Sequence, residues 1–328
     1  MKILFTLDYE VFLGNRTGTV QNSLIIPTNK LISEGEKFGV KFTLFIDATY
    51  LYMLKKLGKQ HLNLQNDYNV VSQHIKVLND HGHDIQLHIH PHWYFSKYNG
   101  TEWMLDTEHY KLSDLTIEDA RKIFRESKET LEDIINKKVI AFRAGGFSAQ
   151  PNQLLTSLLQ ENDISIDSSV YTGSYYNSPS QKYDYRNASQ KGLYHFSEDI
   201  CVDDQQGKFT EIPLSTYKLS PVFYWKLLGT KLLKRSKHKT FGDGVATKTS
   251  NESIIERLTR YSYALATIDG YKIAYLPKVL KKKRKQGYDL LTVIGHPKLA
   301  TPYSIEMFAC FCNKYLQKNK FIILRDLI

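Results

Sequence analysis

Short apolar segments alternate with amphipathic segments along most of the chain. The apolar runs predict buried strands at residues 3–7, 40–46, 84–87, 139–142, 164–166, 290–294 and 321–324. Apolar residues at helical spacing predict helices at 28–38, 69–80, 116–135, 151–160 and 304–317. This alternation predicts an α/β fold in which helices cover a parallel sheet, either open or closed into a barrel.

Residues 175–289 interrupt this alternation. The stretch 171–195 is rich in Tyr, Ser, Asn and Gln and predicts a long polar loop, and 215–289 shows no regular strand–helix pattern. A chain of 328 residues can form one large α/β domain with insertions. We therefore predict a single domain over residues 1–328, with an insertion or lid at about 175–289.

Charge is distributed unevenly along the chain. The net charge is +10, but residues 1–200 hold 21 basic and 24 acidic side chains, whereas residues 201–328 hold 23 basic and 10 acidic ones. A basic C-terminal part attracts phosphates, anionic sugars or anionic lipid headgroups. A lysine-rich solvated surface is the alternative interpretation. Because no nucleic-acid-binding motif accompanies these charges, we predict no nucleic-acid partner.

The cysteine count, the apolar runs and the first residues of the chain bear on its cellular location. The chain has three cysteines, too few for a disulfide framework, and no apolar run long enough to cross a bilayer. Its first residues do not resemble a secretory signal, so we expect a cytoplasmic protein. Residues 221–239 mix aromatic and leucine side chains with basic ones. They predict either peripheral contact with an anionic membrane or a helix packed on the barrel.

Chemically active side chains follow the predicted strands. Asp8 and Glu10 come directly after the first strand, and His88, His90 and His92 come after the third. Polar residues at the carboxyl ends of parallel strands collect at one edge of the sheet. Three alternating histidines favour a metal site over isolated buried histidines, because neutral imidazole is a common metal ligand.

Later strands end in further polar residues. Arg143 follows the fourth strand and is succeeded by Gly145 and Gly146, Asp167 ends the fifth strand, and His296 follows a strand near the C-terminus. An acid pair, several histidines, an arginine and an aspartate in this order are the components of a metal-assisted hydrolase.

This order of residues resembles the NodB-homology polysaccharide deacetylases, a carbohydrate esterase family. The strongest match is the Gly-His-Asp-Ile-Gln-Leu-His lead-in at 82–88 followed by His92. The Leu-Asp-Tyr-Glu and His-Ile-His-Pro-His segments look like the WbmS-type subgroup of bacterial surface-polysaccharide loci. The resemblance spans residues 3–170 and 290–298. It implies a deformed (β/α) barrel, usually of seven strands.

The resemblance implies acid–base roles for four residues. Asp8 resembles the aspartate that acts as the base, and Arg143 resembles the arginine that holds this base. Asp167 resembles the acid that orients the catalytic histidine, and His296 resembles that histidine, which protonates the leaving amine.

The resemblance also implies a metal site held by Glu10, His88 and His92. An open site with three such ligands suits catalytic zinc. Glu10 departs from the family pattern of two adjacent aspartates, although alternate residues of a strand lie on one face. His90 either lines the sugar site or supports a neighbouring acid by a hydrogen bond.

A second departure concerns the substrate wall. Gly145 and Gly146 replace the usual Pro-Tyr of the family. The Gly146 N–H is expected to stabilise the oxyanion, while the aromatic wall is expected from Tyr9, Trp93 or Tyr94.

The resulting prediction is a metal-dependent hydrolase, with zinc as the expected divalent metal, that removes an N-acetyl or similar N-acyl group from a sugar during bacterial surface-polysaccharide biosynthesis. The expected substrate is anionic, a nucleotide sugar or a lipid-linked glycan precursor. Two alternatives stay open at this point: a glycoside hydrolase on a related barrel, and a non-catalytic glycan-binding homologue.

Overall fold

The structure is a computed structural model that describes residues 1–232, 236–246 and 251–328. The chain divides into two compact units. Unit 1 comprises residues 1–42 and 215–326, and unit 2 comprises residues 43–214 and 327–328. The prediction of one domain over the whole chain stays a prediction. Residues 233–235, which include part of the predicted 221–239 segment, lie outside the described residues.

Strands and α-helices alternate in the first half of the chain, as the apolar pattern predicts. The strands are, in chain order, β1 (Lys2–Tyr9), β2 (Thr43–Asp47), β3 (Asp84–Ile89), β4 (Lys97–Tyr98), β5 (Trp103–Met104), β6 (Ala141–Ala144), β7 (Ile166–Asp167), β8 (Tyr175–Asn177), β9 (Lys182–Asp184), β10 (Tyr194–Phe196), β11 (Phe209–Glu211), β12 (Thr216–Leu219), β13 (Ser262–Leu265), β14 (Leu290–Gly295) and β15 (Lys320–Ile322). The α-helices are α1 (Ile26–Glu36), α2 (Ala48–Leu57), α3 (Leu62–Asp80), α4 (His92–Phe95), α5 (Ile117–Ile135), α6 (Asn152–Glu161), α7 (Pro221–Leu232), α8 (Asn251–Thr259), α9 (Leu276–Lys285) and α10 (Pro302–Tyr315).

Unit 1 is built around β1, which pairs in parallel with β14 and with β15. The strand is almost completely buried, and its Phe5 ring packs edge-on against Phe308 and Phe311 of α10 at centroid distances of 5.2 and 6.1 Å. Burial of these aromatic rings removes a large apolar area from water and holds α10 on the strands. An antiparallel pair, β12 and β13, lies in the same unit.

Six strands of unit 2 form a sheet in the order β10-β11-β7-β6-β3-β2, and β4–β5 and β8–β9 form two separate antiparallel pairs. All neighbours from β2 to β11 run parallel, and β10 is antiparallel at the edge. Asp47 ends β2 and caps α2 by accepting a hydrogen bond from the Tyr50 N–H at 3.3 Å. Such a cap satisfies one of the amide donors that every helix leaves open at its start.

The structure confirms the α/β class and the predicted strands of the first half, and it changes two details. Helix α2 follows β2 without a loop, so its residues 48–57 continue an apolar run that the periodicity did not separate from the strand. The region 175–289 is not a uniform insertion, because β11 pairs in parallel with β7 and extends the sheet. Within the described part of the chain, no helix is long and apolar enough to cross a membrane.

Candidate active site

In unit 1, the strand register brings together Asp8 and His296, which the sequence predicts as site residues, and Asp269, which it does not. Leu7 of β1 pairs with Gly295 of β14, so Asp8 and His296 come next to each other just beyond that pair. Thr267 forms a parallel bridge with Ile294, which carries the following Asp269 to the same end of β14. The site therefore arises where three extended segments end side by side.

Asp269 fixes the orientation of His296. Its carboxylate accepts a hydrogen bond from His296 Nδ1 at 2.8 Å and another from the His296 backbone N–H at 2.7 Å. This bidentate contact makes Nε2 the outward nitrogen of the imidazole. The expectation that Asp167 orients His296 is wrong, because Asp269 occupies that position and Asp167 is hydrogen-bonded elsewhere in unit 2.

Gly295 permits the close approach that this arrangement needs. A Cβ atom at this position would lie 2.5 Å from Cγ1 of Ile268, the residue before Asp269. Such a contact is far inside van der Waals distance, so any larger residue would push the 267–269 segment away from the end of β14. A glycine directly before His296 thus keeps the Asp269–His296 pair in register.

Two more carboxylates face His296 Nε2 within unit 1. Asp8 Oδ2 and Glu10 Oε1 each lie 3.8 Å from that nitrogen. Burial alone would lower the pKa of His296, but the charge and hydrogen bond of Asp269, together with Asp8 and Glu10, outweigh it and raise the pKa above 6.5. The imidazole is therefore held in its protonated form to higher pH, as a general acid requires.

Lys298 neutralises part of this acidic cluster. Its Nζ donates to Glu10 Oε1 at 3.0 Å and to the Val11 carbonyl at 2.8 Å, and all three groups are buried. A buried carboxylate needs such a partner because the low dielectric inside a protein penalises an isolated charge. Lys298 lies two residues after His296, so the same turn carries both the acid and the counter-charge.

In unit 2, the three alternating histidines lie at and just after the end of β3. His88 Nδ1 donates to the Arg143 carbonyl on the neighbouring strand at 2.7 Å, which leaves Nε2 as its metal-facing nitrogen. The His88 and His90 rings are 4.7 Å apart between centroids, and a ligand atom of each lies within 4.8 Å of the other. An imidazole anchored through one nitrogen is the usual arrangement of a metal ligand.

The donor set of this histidine cluster fits a divalent metal such as zinc. His92 is completely buried at the start of α4, 5.6 Å from the His90 ring and 5.1 Å from the Tyr110 ring between centroids. His88, His90 and His92 are therefore all placed among ligand candidates in unit 2. The predicted ligand set of Glu10, His88 and His92 stays a prediction, and the geometry adds His90 as a rival of His92.

Arg143 is buried at the end of β6 and is tied to the next strand. Its Nε donates to the Ser168 carbonyl and its Nη2 donates to Ser168 Oγ, both at 2.9 Å, while the guanidinium lies 4.0 Å from the Phe45 ring centroid. Bidentate hydrogen bonding and stacking fix the guanidinium plane. Its predicted role as the holder of Asp8 stays a prediction.

Asp167 belongs instead to a pair of buried carboxyl groups in unit 2. Asp167 and Glu211 are register partners on β7 and β11, and neither is exposed. Asp167 accepts hydrogen bonds from the Ser169 N–H and Oγ at 2.7 and 3.0 Å, and Glu211 Oε1 accepts one from the Val170 N–H at 3.1 Å. Glu211 Oε2 is buried and has no hydrogen-bond donor among the described residues, so a negative charge on this carboxyl would be poorly compensated.

Burial raises the pKa of both carboxyl groups, and the shared hydrogen bond with Asp167 raises that of Glu211 further. The pKa of Asp167 lies at about 6, and that of Glu211 lies well above its ordinary value. Burial and mutual repulsion thus favour a single proton on the pair near neutral pH, and the remaining negative charge is stabilised by Arg143.

The glycine loop after β6 contacts both the histidines and a hairpin. A Cβ on Gly145 would lie 2.7 Å from His90 Nδ1, and one on Gly146 would lie 2.9 Å from Cγ of Gln181. Gly146 has φ +57°, a left-handed conformation that favours glycine. The role of the Gly146 N–H as a hydrogen-bond donor to the oxyanion stays a prediction.

Two of the three residues expected to form an aromatic wall, Trp93 and Tyr9, lie in the interior, whereas Tyr94 is half-buried. Trp93 is completely buried and its Nε1 donates to Asp47 Oδ2 at 2.8 Å. Tyr9 is 2% exposed, and Tyr94 stacks on Tyr52 at 5.8 Å. The expectation that Trp93 and Tyr9 meet the substrate is therefore corrected, since fully packed rings have no surface to offer.

Sequence reasoning missed four residues of these clusters: Asp269, Lys298, Glu211 and Gln181. Asp269 had a usable signal, because it follows the short apolar run Ala-Leu-Ala-Thr-Ile at 264–268 just as Asp8 follows the first strand. This run is easily overlooked because the surrounding region, 215–289, shows no regular alternation of strands and helices. Glu211 and Gln181 carry no comparable pattern.

Comparisons with known proteins show the fold of the chain. No family model and no curated protein matches the sequence. Among solved structures, it is similar to a Mycobacterium smegmatis protein provisionally assigned as a polysaccharide deacetylase, with 14% identity over 99% of this chain and 88% of that chain and a TM-score of 0.50. It is likewise similar to a PuuE allantoinase, with 12% identity over 99% and 88% and a TM-score of 0.50. At these identities the likeness establishes a shared fold.

Proposed function

We propose that the chain is a metal-dependent hydrolase that removes an N-acetyl or similar N-acyl group from a sugar. The observation that carries this proposal is the Asp269–His296 pair, whose imidazole faces Asp8 at 3.8 Å. An imidazole with a fixed tautomer beside a second carboxylate is the combination that general acid and base catalysis requires. The fold shared with a protein assigned as a polysaccharide deacetylase supports the choice of reaction.

Each side chain has a specific task in this proposal. Asp8 removes the proton from the attacking water, and His296 Nε2 delivers a proton to the leaving amine nitrogen. Asp269 holds the imidazole and stabilises its positive charge, as the raised pKa of His296 indicates. The Gly146 N–H donates to the developing oxyanion, a contact typically worth a few kcal/mol.

The histidine cluster of unit 2 is the proposed metal site. His88 supplies Nε2, and His90 or His92 supplies the second imidazole. A divalent metal held there would polarise the acyl carbonyl and lower the pKa of water. Zinc is the proposed metal, since it accepts histidine nitrogen and carboxylate oxygen together.

Metal content and acetate release test this proposal together. The purified chain, reconstituted with zinc, would be measured by elemental mass spectrometry and assayed for acetate release from N-acetylated nucleotide sugars and chitooligosaccharides. We expect about one metal per chain. A His88→Ala variant should lose both metal and activity, and His90→Ala and His92→Ala should identify the second ligand by which of them loses metal.

Two controls separate the possible outcomes. His81 is exposed outside the cluster, so His81→Ala should keep metal and rate. Asp8→Asn should keep the metal but lose the rate. Release of reducing sugar without acetate would establish a glycoside hydrolase instead, and sugar binding without any product would establish a glycan-binding homologue.

We also propose four more specific features of this protein. They are the seven-stranded barrel, the surface-polysaccharide subgroup, the cytoplasmic location and an anionic substrate such as a nucleotide sugar or a lipid-linked precursor. The excess of 23 basic over 10 acidic residues in 201–328 supports an anionic substrate. An anionic substrate would be supported if the KM of a charged substrate depended on salt concentration while the KM of a neutral substrate did not.

Peripheral membrane contact through residues 221–239 is a separate part of the proposal. On α7, Val222 and Trp225 are 59% and 57% exposed, and the neighbouring Lys226 is exposed as well. Exposed Trp and Val beside lysine suit the interface of an anionic bilayer. Binding to anionic but not neutral vesicles, lost in Trp225→Ala, would support this contact, and no binding at low salt would refute it.

A further inference from the structure

The β8–β9 hairpin of unit 2 is fastened to the glycine loop that follows β6. The Lys182 N–H donates to Ser148 Oγ at 3.0 Å, and the Asp184 N–H donates to Gln150 Oε1 at 2.8 Å. The Tyr185 hydroxyl donates to the Phe147 carbonyl at 2.7 Å. These three bonds join residues 182–185 to residues 147–150, so the hairpin has a fixed position beside Gly146.

The hairpin also packs directly on the loop. The Gln181 side chain covers the face of Gly146, where a Cβ would lie 2.9 Å from Gln181 Cγ and 3.0 Å from Gln181 Nε2. The side-chain amide of Gln181 thus lies next to the N–H that the proposed function assigns to the oxyanion. An amide has both donors and acceptors, which match sugar hydroxyl and acyl groups.

A series of aromatic rings leads from the loop to the surface of the hairpin. Phe147 meets Tyr171 at 5.8 Å, Tyr171 stacks on Tyr183 at 6.3 Å, and Tyr183 stacks on Tyr176 at 6.3 Å between centroids. Tyr183 is buried, whereas Tyr176 is 38% exposed. Each ring supports the next, so the outermost ring is held rigidly at low entropic cost.

Polar groups surround the exposed end of this series. The hairpin turn next to Tyr176 contains Ser178 and Ser180, whereas Lys182, the register partner of Asn177, lies on the opposite face from Tyr176. On the other face of β8, Tyr175 is paired with the Arg186 guanidinium at 4.6 Å from its ring centroid. A rigid aromatic face bordered by hydroxyl and amide groups matches a pyranose ring, which has apolar C–H faces and a polar rim.

We propose that the β8–β9 hairpin, through Tyr176 and Gln181, forms a subsite that binds further pyranose units of an oligosaccharide next to the glycine loop. This inference rests on the proposed function in that it makes the substrate an extended glycan.

Binding of neutral oligosaccharides tests the subsite without depending on catalysis. Calorimetric titration of the full chain would use chitotetraose, cellotetraose and monomeric N-acetylglucosamine. We expect a tetrasaccharide to bind more tightly than the monomer, and Tyr176→Ala to weaken tetrasaccharide binding about five- to tenfold. Tyr176→Phe keeps the ring and should bind like the wild type.

The controls make the outcome specific to the hairpin. Tyr261 is 71% exposed in unit 1, so Tyr261→Ala should not change binding. No binding of either tetrasaccharide, or equal binding by wild type and Tyr176→Ala, would overturn the inference. Acetate release is measured separately: a chain that binds tetrasaccharide through Tyr176 without releasing acetate refutes the proposed function but leaves the subsite standing.

Discussion

The buried carboxyl pair leads to a specific prediction about pH-dependent stability. We expect Glu211→Gln to remove a large part of the loss of stability that the wild type shows between pH 5 and pH 7. Glutamine has the shape of a protonated glutamate and is always neutral. It can accept from the Val170 N–H and donate to Asp167 as Glu211 does.

The sign follows from the direction of the pKa shift. The pKa of Glu211 is well above 4.5 in the folded chain, because burial and the neighbouring Asp167 disfavour a second charge. In the unfolded chain the same carboxyl ionises near its ordinary pKa. The folded state therefore holds a proton that the unfolded state releases, so the contribution is fully present below pH 4.5 and is lost as the pH rises.

The magnitude can be worked out from this difference. While Glu211 stays protonated in the folded chain, each pH unit above the unfolded pKa costs about 1.4 kcal/mol. Integration from pH 5 to pH 7, with partial ionisation of the unfolded carboxyl at pH 5, sets an upper bound of about 2.5 kcal/mol on this loss, reached when Glu211 stays protonated throughout. The titration of Asp167 contributes equally to both proteins and cancels in the comparison.

Urea unfolding at pH 5 and pH 7, followed by tryptophan fluorescence, measures this difference. The free energy of unfolding should change less in Glu211→Gln than in the wild type, by up to about 2.5 kcal/mol. Glu129 is exposed on α5, so Glu129→Gln serves as a matched control and should keep the wild-type pH dependence.

Equal pH dependence in Glu211→Gln and the wild type would refute the assignment of the proton to Glu211. A complementary variant checks the ionised partner. Asp167→Asn removes the negative charge near Arg143 and should be markedly less stable at pH 7, by about 3 kcal/mol, because it leaves a buried guanidinium with less compensation. If Asp167→Asn were neutral and Glu211→Gln destabilising, the charge and the proton would be on the opposite carboxyls.

Three further predictions concern unit 1. Asp269→Asn should lower kcat by about 10²-fold or more and shift the basic limb of the pH–rate profile to lower pH, because the pKa of His296 is raised in part by Asp269; an unchanged limb would contradict its role. Gly295→Ala should cost about 1–3 kcal/mol in urea unfolding, since the new methyl would lie 2.5 Å from a side-chain carbon. Lys298→Met should destabilise the chain by about 3 kcal/mol by removing the ammonium bound to Glu10, and the double variant with Glu10→Gln should recover most of that loss; no recovery would mean that Lys298 acts through packing.

Local pattern was sufficient for most of the strands and for the residues that follow them. Apolar runs that end in a polar residue predicted four strands together with the site residues at their ends. These are β1 with Asp8, β3 with its histidines, β6 with Arg143, and β14 with His296. This succeeds because a buried parallel strand needs continuous apolar residues, and its carboxyl end is where polar groups reach the surface.

The local sequence pattern did not predict which residues contact each other across neighbouring strands. Asp167 and Asp269 both follow short apolar runs, and only the pairing of residues 267 and 294 shows that Asp269 is the one beside His296. Glu211 looks like an ordinary surface glutamate in the sequence, yet its strand pairs with β7 and buries it against Asp167. Strand order and register depend on contacts between segments far apart in the chain, which periodicity does not encode.

The sequence by itself therefore determined the α/β class, the positions of the main strands and the kinds of chemical groups at their ends. The tertiary structure decided which of those groups are neighbours: Asp269 with His296, Lys298 with Glu10, and Glu211 with Asp167. The physical reason is that propensity and burial act locally along the chain, whereas hydrogen bonds, charge pairing and pKa shifts depend on a few ångströms of distance between residues brought together by folding.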